Sequence, residues 1–76
     1  MRNQVTTTHE KIEYRATRQP QPNGDGTYTW RVEYKQSSDY EWDWRGKFLE
    51  RDGVCEWKGR TFDDADHALR VYAREH

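Results

Sequence analysis

The chain has 76 residues and a mass of 9.3 kDa, which leaves room for one small domain. Aromatic residues make up 14% of the chain although its hydrophobic fraction is only 32%, and disordered segments are poor in aromatics, so the chain is expected to fold. Its 13 Lys+Arg and 14 Asp+Glu give a formal net charge of -1, which excludes a surface that is basic throughout, as in a general binder of polyanions.

The N-terminal half of the chain predicts two strands joined by a loop. Residues 1–8 hold one valine and three consecutive threonines, which predicts a flexible N-terminal arm or an edge strand. Residues 9–18 alternate apolar and polar side chains and predict a half-buried strand. Residues 19–26 contain two prolines, an Asn-Gly and an Asp-Gly, which are typical of a loop. A second strand over 27–36 carries Tyr28, Trp30, Val32 and Tyr34 on one face.

The C-terminal half predicts two further strands and one helix. A turn at 37–39 leads into a third strand, whose apolar face carries Tyr40, Trp42, Trp44 and Phe48. Asp52-Gly53 is the usual pair for a two-residue type I′ hairpin turn, and a fourth strand follows over 54–60. From Thr61 the apolar spacing becomes that of a helix. The chain therefore predicts an α+β domain over 9–76, a four-stranded antiparallel β-meander with one C-terminal helix packed on its aromatic face (ββββα).

Turn lengths predict how the strands pair. With Asp52-Gly53 as the loop, Arg51 pairs with Val54. A turn at 37–39 with an odd number of residues keeps carboxylates out of the core, and it pairs Val32 with Trp44. In this register Trp44 faces the helix.

The predicted helix is narrower than the predicted sheet. A helix of about 14 residues is roughly 21 Å long and about 10 Å wide, whereas four strands of about nine residues offer a face of roughly 19 by 30 Å. One end of the sheet would then expose aromatic rings, which dominate binding hot spots. The predicted protein interface there comprises Ile12, Tyr34, Lys35, Asp39, Tyr40, Glu41 and Trp42. Alternatively, the N-terminal arm or sheet curvature buries this end, or a second copy of the chain covers it.

The opposite face of the sheet is predicted to carry a row of arginines. The row comprises Arg15, Arg31, Arg45 and Arg60, with Lys47 and Lys58 in the next row. Like charges directly opposite each other are unfavourable by roughly 0.2–1 kcal/mol, so the row needs compensation. In the favoured interpretation, Glu13, Glu33 and Asp43 in the neighbouring row neutralise it. In the other, the guanidiniums bind the phosphates of a nucleic acid.

The sequence predicts no catalytic, metal or cofactor site. Asp63, Asp64, Asp66 and His67 fit an acidic first helical turn better than a metal cluster, because Asp64 and Asp66 lie about 200° apart around a helix. Cys55 lies on the apolar side of a strand without an activating partner, so it is predicted to pack rather than to react. Neither paired carboxylates nor a nucleophilic triad can be placed, so an enzyme is not expected.

The apolar pattern and the cysteine content indicate the cellular compartment in which the protein acts. No apolar run is long enough for a transmembrane helix or for the core of a signal peptide, so no membrane association is expected. Cys55 is the single cysteine and cannot form a disulfide within the chain. A domain this small usually needs several disulfides outside the cell, so a reducing cytoplasm is expected.

Two features of the sequence resemble known groups of proteins. Strands followed by a helix, with Trp30-Arg31-Val32 in a strand and Lys58-Gly59-Arg60-Thr61-Phe62 leading into Ala65 and Ala68, resemble the arm-type DNA-binding domain of tyrosine integrases. That resemblance implies a three-stranded sheet that reads a major groove, whereas this chain has four candidate strands and an acidic helix start. A short, Trp-rich, highly charged chain with one cysteine is also similar in style to small bacteriophage-encoded accessory proteins that inhibit host or defence proteins. That resemblance implies stoichiometric binding of another protein.

The leading hypothesis is therefore a small, non-catalytic protein-binding module that needs no cofactor. As a phage-encoded protein, it would act in the host cytoplasm on a host or defence protein, or pair with a second copy of itself. The alternative hypothesis is nucleic-acid binding through the arginine row.

Overall fold

The computed structural model describes residues 3–36 and 40–75. Within these ranges the backbone forms six strands and one helix: β1 (Gln4–His9), β2 (Ile12–Arg18), β3 (Tyr28–Gln36), β4 (Asp43–Arg51), β5 (Val54–Trp57), β6 (Arg60–Phe62) and α1 (Ala65–Arg74). The strands lie side by side in chain order, each antiparallel to the next. The predicted α+β class, with an antiparallel sheet and a C-terminal helix, is confirmed, whereas the predicted number of four strands is wrong.

One added strand, β1, comes from the segment that the sequence predicts as a flexible arm or an edge strand. It pairs with β2 along its whole length, from Gln4 opposite Thr17 to His9 opposite Ile12. Val5 is 7% exposed and packs into the hydrophobic core. A complete ladder and one buried valine make this segment an edge strand, so the flexible-arm prediction for residues 1–8 is corrected from Gln4 onward and the folded domain includes β1.

The other added strand arises because a turn divides the predicted fourth strand. The strand expected over 54–60 ends at Trp57, and Lys58-Gly59 connects it to β6. φ is 51° at Lys58 and 75° at Gly59, and positive φ at both central residues is what a type I′ hairpin turn requires. The sequence offers only the glycine as a sign of this turn, because lysine is not a residue that favours positive φ.

Two further hairpin turns also have two central residues, and the sequence indicates only one of them. Asp52-Gly53 has φ of 52° and 86° and joins the pair Arg51 and Val54, as predicted. Glu10-Lys11 has φ of 51° and 68° without an asparagine, aspartate or glycine. The sequence therefore does not indicate this turn, so residues 1–8 fit a flexible arm as well as an edge strand.

A β-bulge in β4 changes its register with β3. Val32 pairs with Gly46, but the next residue, Glu33, pairs with Trp44, so Arg45 is an extra residue in β4. The predicted pairing of Val32 with Trp44 is wrong by two residues: the bulge accounts for one, and the connection, which places Tyr34 opposite Asp43, accounts for the other. An extra residue shifts the alternation of side chains between the two faces. Trp44 therefore faces away from the helix, and Arg45 lies on the helix side.

The core lies between the concave side of the sheet and α1. The helix contacts β1 and β2 near one edge of the sheet and β5 and β6 at the other, so the sheet curls around it. Trp30 stacks on Phe48 with ring centres 5.9 Å apart, and the ring centre of Trp57 lies 4.8 Å from that of Tyr72. Gly46 permits the close approach, because the Tyr72 hydroxyl lies where a β-carbon at position 46 would be.

The helix is shorter than the sequence predicts but presents the expected face. It begins at Ala65, where the Asp64 carboxylate accepts a hydrogen bond of 2.8 Å from the His67 backbone N–H. This side chain is an N-cap, which satisfies one of the free N–H groups of the first turn. The buried residues are Ala65, Ala68, Leu69, Tyr72 and Ala73, which follow the helical apolar spacing that begins after Thr61.

Candidate functional site

The face of the sheet away from α1, here called the open face, carries two tryptophans. It includes the odd-numbered residues of β2 and β3, Trp44, Lys47 and Leu49 of β4, and Glu56 of β5, which pairs with Leu49. Trp44 is 64% exposed. Trp42 is half-buried under two cations, with the Arg15 guanidinium carbon 4.2 Å and the Lys35 Nζ 5.4 Å from its ring centre. Trp44 makes no such contact with a described residue, so its ring is available to a ligand.

Two cations lie directly opposite each other beside Trp44. Arg31 of β3 pairs in register with Lys47 of β4, and both side chains are exposed. Neither forms a hydrogen bond or an ion pair with any residue in the described ranges. Such a pair of like charges is unfavourable by about 0.2–1 kcal/mol. An anion bound between them would relieve this repulsion.

A shallow groove joins these side chains. It has a volume of about 440 Å³ and is lined by Gln19, Thr29, Arg31, Trp44 and Lys47. Gln19 lies next to Thr29 because its backbone N–H donates a 2.9 Å hydrogen bond to the Thr29 carbonyl. The groove therefore combines one indole, two cations and two neutral polar side chains.

Most other arginines are neutralised within the protein. The ion pairs of the described residues that involve arginine join Arg15 to Glu33, Arg18 to Glu50, Arg51 to Asp25, Arg60 to Glu75 and Arg70 to Asp66. The first of these matters most for the groove, because Glu33 lies opposite Trp44 in the sheet. Arg15 donates two hydrogen bonds, of 3.1 and 2.9 Å, to one oxygen of Glu33. With Glu33 neutralised, Arg31 and Lys47 are the charged side chains that line the groove.

The predicted arginine row does not form on the open face. Arg15 lies opposite Glu33, and Arg31 lies opposite Lys47 rather than beside Arg15. The prediction placed β2 two residues out of its observed register with β3. The internal ion pair that it favoured is present as the direct contact between Arg15 and Glu33.

The other members of the predicted row lie elsewhere. Arg45 is moved to the helix side by the bulge, and its guanidinium carbon is 5.2 Å from the Tyr34 ring centre. Arg60 lies on the same side and pairs with Glu75 at the end of the helix. Lys58 lies in the turn between β5 and β6. Of the six predicted cations, the open face keeps Arg15, Arg31 and Lys47.

The structure divides the predicted protein interface between the two faces. Ile12 and Tyr34 pack against the core on the helix side. Trp42 and Lys35 lie together on the open face. Tyr40 is 98% exposed and Glu41 is also exposed, whereas Asp39 lies outside the described residues. These side chains therefore do not form one continuous apolar patch.

Sequence reasoning missed Trp44 as a surface residue. Strict alternation assigns it to the core together with Phe48. The available signal was Gly46, because a glycine inside a strand often marks a bulge or a close contact with another group. Both occur here, since Gly46 adjoins the bulge and lies under Tyr72.

A second, smaller cavity of about 270 Å³ lies between β1, the turn after β4 and the start of α1. On its wall, Glu50 is 6% exposed, and its carboxylate accepts a 2.8 Å hydrogen bond from Trp30 Nε1. The Arg18 guanidinium lies 3.6 Å from its other oxygen. The protein itself thus satisfies this buried carboxylate, which a stable core requires.

Groups typical of metal or nucleophilic chemistry do not come together in the described residues. Within residues 3–36 and 40–75, no three His, Cys, Asp or Glu side chains are placed to hold a metal ion. Burial raises the pKa of the Cys55 thiol to about 12, which keeps it protonated and unreactive. The same ranges contain no helix with the length and apolar character needed to cross a membrane.

No protein-family model matches the chain, and no curated protein or solved structure matches it either. The resemblances to integrase arm domains and to phage accessory proteins therefore stay predictions. The geometry of the open face remains as the basis for a functional proposal.

Proposed function

We propose that the protein binds nucleic acid through the groove on its open face, with Arg31 and Lys47 on the phosphates. The observation that carries this proposal is the pair of opposed, exposed cations beside the exposed ring of Trp44. A guanidinium and an ammonium are the usual protein partners of phosphate. Neither Arg31 nor Lys47 is neutralised by a residue of the described ranges, unlike the arginines in ion pairs.

A net charge of -1 is compatible with this function, because the cations that matter are local. The acid opposite Trp44, Glu33, is engaged, since it accepts hydrogen bonds from Arg15. A small basic patch neutralises few phosphates, so moderate affinity and a modest salt dependence are expected.

The test is a titration of labelled oligonucleotides, both single-stranded and duplex, at several salt concentrations. The logarithm of the association constant should fall with the logarithm of salt by about 0.7 per neutralised phosphate on single strands and about 0.9 on duplex DNA. Replacing both cations (Arg31→Gln with Lys47→Gln) should weaken binding and reduce this slope by about 1.5.

A matched control removes two cations outside the groove, Lys58→Gln with Arg74→Gln, and changes the net charge equally. Both side chains are exposed, one in a turn and one at the end of α1. The control should keep the affinity and slope of the original protein. Absence of binding at low salt, or an equal loss in the control, would overturn the proposal.

A second candidate function is the binding of a partner protein near the start of β4, as the phage-protein resemblance implies. The observation that favours it is Tyr40, a large ring that is 98% exposed. Trp42, Lys35 and Glu41 provide a neighbouring ring and a charged rim. Aromatic anchors with a polar rim are typical of protein interfaces.

This candidate predicts that Tyr40→Ala and Trp42→Ala abolish capture of a specific partner from cells that encode the protein. Both variants should still fold, because neither ring belongs to the buried core. Val54→Ala is the control, since Val54 is a 44% exposed apolar residue opposite Arg51, at the other end of β4 from Tyr40 and Trp42. Capture that survives both aromatic replacements would refute this function.

A further inference from the structure

The exposed ring of Trp44 indicates which kind of nucleic acid the groove suits better, a duplex or a single strand. It is 64% exposed and has no cation or ring packed on it among the described residues. In a duplex the bases are stacked on one another and offer side chains only their edges and the backbone. An aromatic side chain gains most from a base whose flat face is free, as in a single strand.

The positions of the cations suit one unpaired nucleotide. Trp44 lies opposite Glu33, two residues along β3 from Arg31. At about 3.4 Å per residue, the backbone positions that carry the ring and the guanidinium are about 7 Å apart along the strand direction. A base on the ring can therefore have its own phosphate or the neighbouring one close to Arg31 and Lys47.

The groove also has polar groups suited to a base edge. Gln19 and Thr29 line it and supply both donors and acceptors. A volume of about 440 Å³ falls within the usual range for small-ligand sites, which is about 300–1,000 Å³. The groove is therefore large enough for a nucleotide.

The second tryptophan of the open face has a different role. Trp42 is half-buried and is covered by Arg15 at 4.2 Å and by Lys35 at 5.4 Å. A base could stack there only by displacing these cations. Arg15 is also held by Glu33, which makes that displacement costly.

We infer that the ligand is a single-stranded polynucleotide, with one base stacked on Trp44 and its phosphates on Arg31 and Lys47. The inference rests on the proposed function and narrows it. The shared chemistry is an unpaired base next to a phosphodiester, which both single-stranded DNA and single-stranded RNA provide.

The experiment compares three probes of one mixed sequence: a single-stranded DNA, the corresponding single-stranded RNA and the duplex DNA. Binding is followed by fluorescence anisotropy of the label. The original protein should bind at least one single strand more tightly than the duplex. A preference between DNA and RNA identifies which sugar the site favours.

Three substitutions at one position then separate stacking from simple apolar contact. Trp44→Ala should weaken single-strand binding by about 10- to 100-fold. Trp44→Leu should lose almost as much, because it keeps apolar volume without a flat ring, whereas Trp44→Phe should retain most of the affinity. Trp42→Ala is the control ring and should change single-strand binding less than Trp44→Ala does.

The outcomes distinguish this inference from the proposed function. If the duplex binds as well as both single strands, or if Trp44→Ala binds like the original protein, the inference is wrong while nucleic-acid binding stands. If no probe binds at low salt, the proposed function fails as well. The comparison of single strands with duplex uses the unmodified protein, so it decides the question even if a variant does not fold.

Discussion

At the scale of single residues, burial decides how Cys55 behaves. Its side chain is fully buried, and burial, with smaller contributions from the charges of Glu50 and Asp64, raises the pKa of the thiol to about 12. Because the thiolate is the reactive form, we expect the folded protein to resist a thiol-specific reagent near pH 8. The protein unfolded in guanidinium chloride is the control and should react at once. Equal rates in the two states would contradict the burial of Cys55.

The same shift in the pKa of Cys55 makes stability depend on pH. The thiol has an ordinary pKa of 9.0, so above this value the unfolded chain loses a proton that the folded chain keeps. The resulting stabilisation is complete below pH 9.0 and is lost as the pH rises toward about 12. Denaturant titrations at several pH values should therefore show the free energy of unfolding falling more steeply over this alkaline range in the original protein than in Cys55→Ala.

Burial of individual residues could be predicted wherever the alternation of side chains is unbroken. Tyr14, Ala16, Trp30 and Val32 lie on the predicted apolar face and are buried. Prediction of burial from alternation fails at Trp44. One inserted residue exchanges the two faces there, and periodicity carries no information about an insertion. The residue most important for the proposed site was thus the one that alternation misplaces.

At the scale of elements, the contact between β4 and α1 depends on Gly46. The Tyr72 hydroxyl lies where a β-carbon at position 46 would be, so Gly46→Ala forces the helix or the strand to move. We expect a loss of about 1–3 kcal/mol in the free energy of unfolding, as for other overpacked cores. For a domain of this size, each kcal/mol corresponds to about 4–8 °C in Tm.

A double-mutant cycle tests whether that hydroxyl is the cause. In a Tyr72→Phe background the hydroxyl is absent, so Gly46→Ala should cost less there than in the original protein. The free energies of unfolding of the four proteins come from urea titrations. The same cost of Gly46→Ala in both backgrounds would show that the clash lies elsewhere.

Hairpin turns explain why some elements were predicted and others were not. Asp52-Gly53 has the residues that a type I′ turn favours, and its position and register follow from the sequence. Glu10-Lys11 adopts the same conformation with two residues that do not favour it. Such a turn is held by the strands that it joins rather than by its own propensity, so local sequence reasoning does not detect it.

At the scale of the whole molecule, sheet curvature is the property that the sequence does not reveal. The predicted mismatch between a wide sheet and a narrow helix assumed a flat sheet. The observed sheet has six strands, and α1 contacts strands near both of its edges. Curvature therefore brings Ile12 and Tyr34 against the core and reduces the exposed apolar area. This is the alternative in which sheet curvature buries that end of the sheet.

The curled sheet also separates the two roles of the chain's aromatic residues. On the concave side, Trp30, Phe48, Trp57 and Tyr72 hold the core together. On the open face, Trp42 and Trp44 lie among cations without contributing to that core. Substitutions on the open face should therefore affect binding much more than folding, which is why the proposed variants are informative.

The extra residue in β4 has a consequence for how the gene can diverge. Loss of the single codon for Arg45 would remove the insertion and leave a regular ladder, in which Trp44 directly precedes Gly46 and still lies opposite Glu33 on the open face. What the deletion removes is the guanidinium beside the Tyr34 ring on the helix side. An in-frame deletion of three nucleotides is thus expected to spare the surface indole, and related genes that differ by this codon are expected to encode products that keep it.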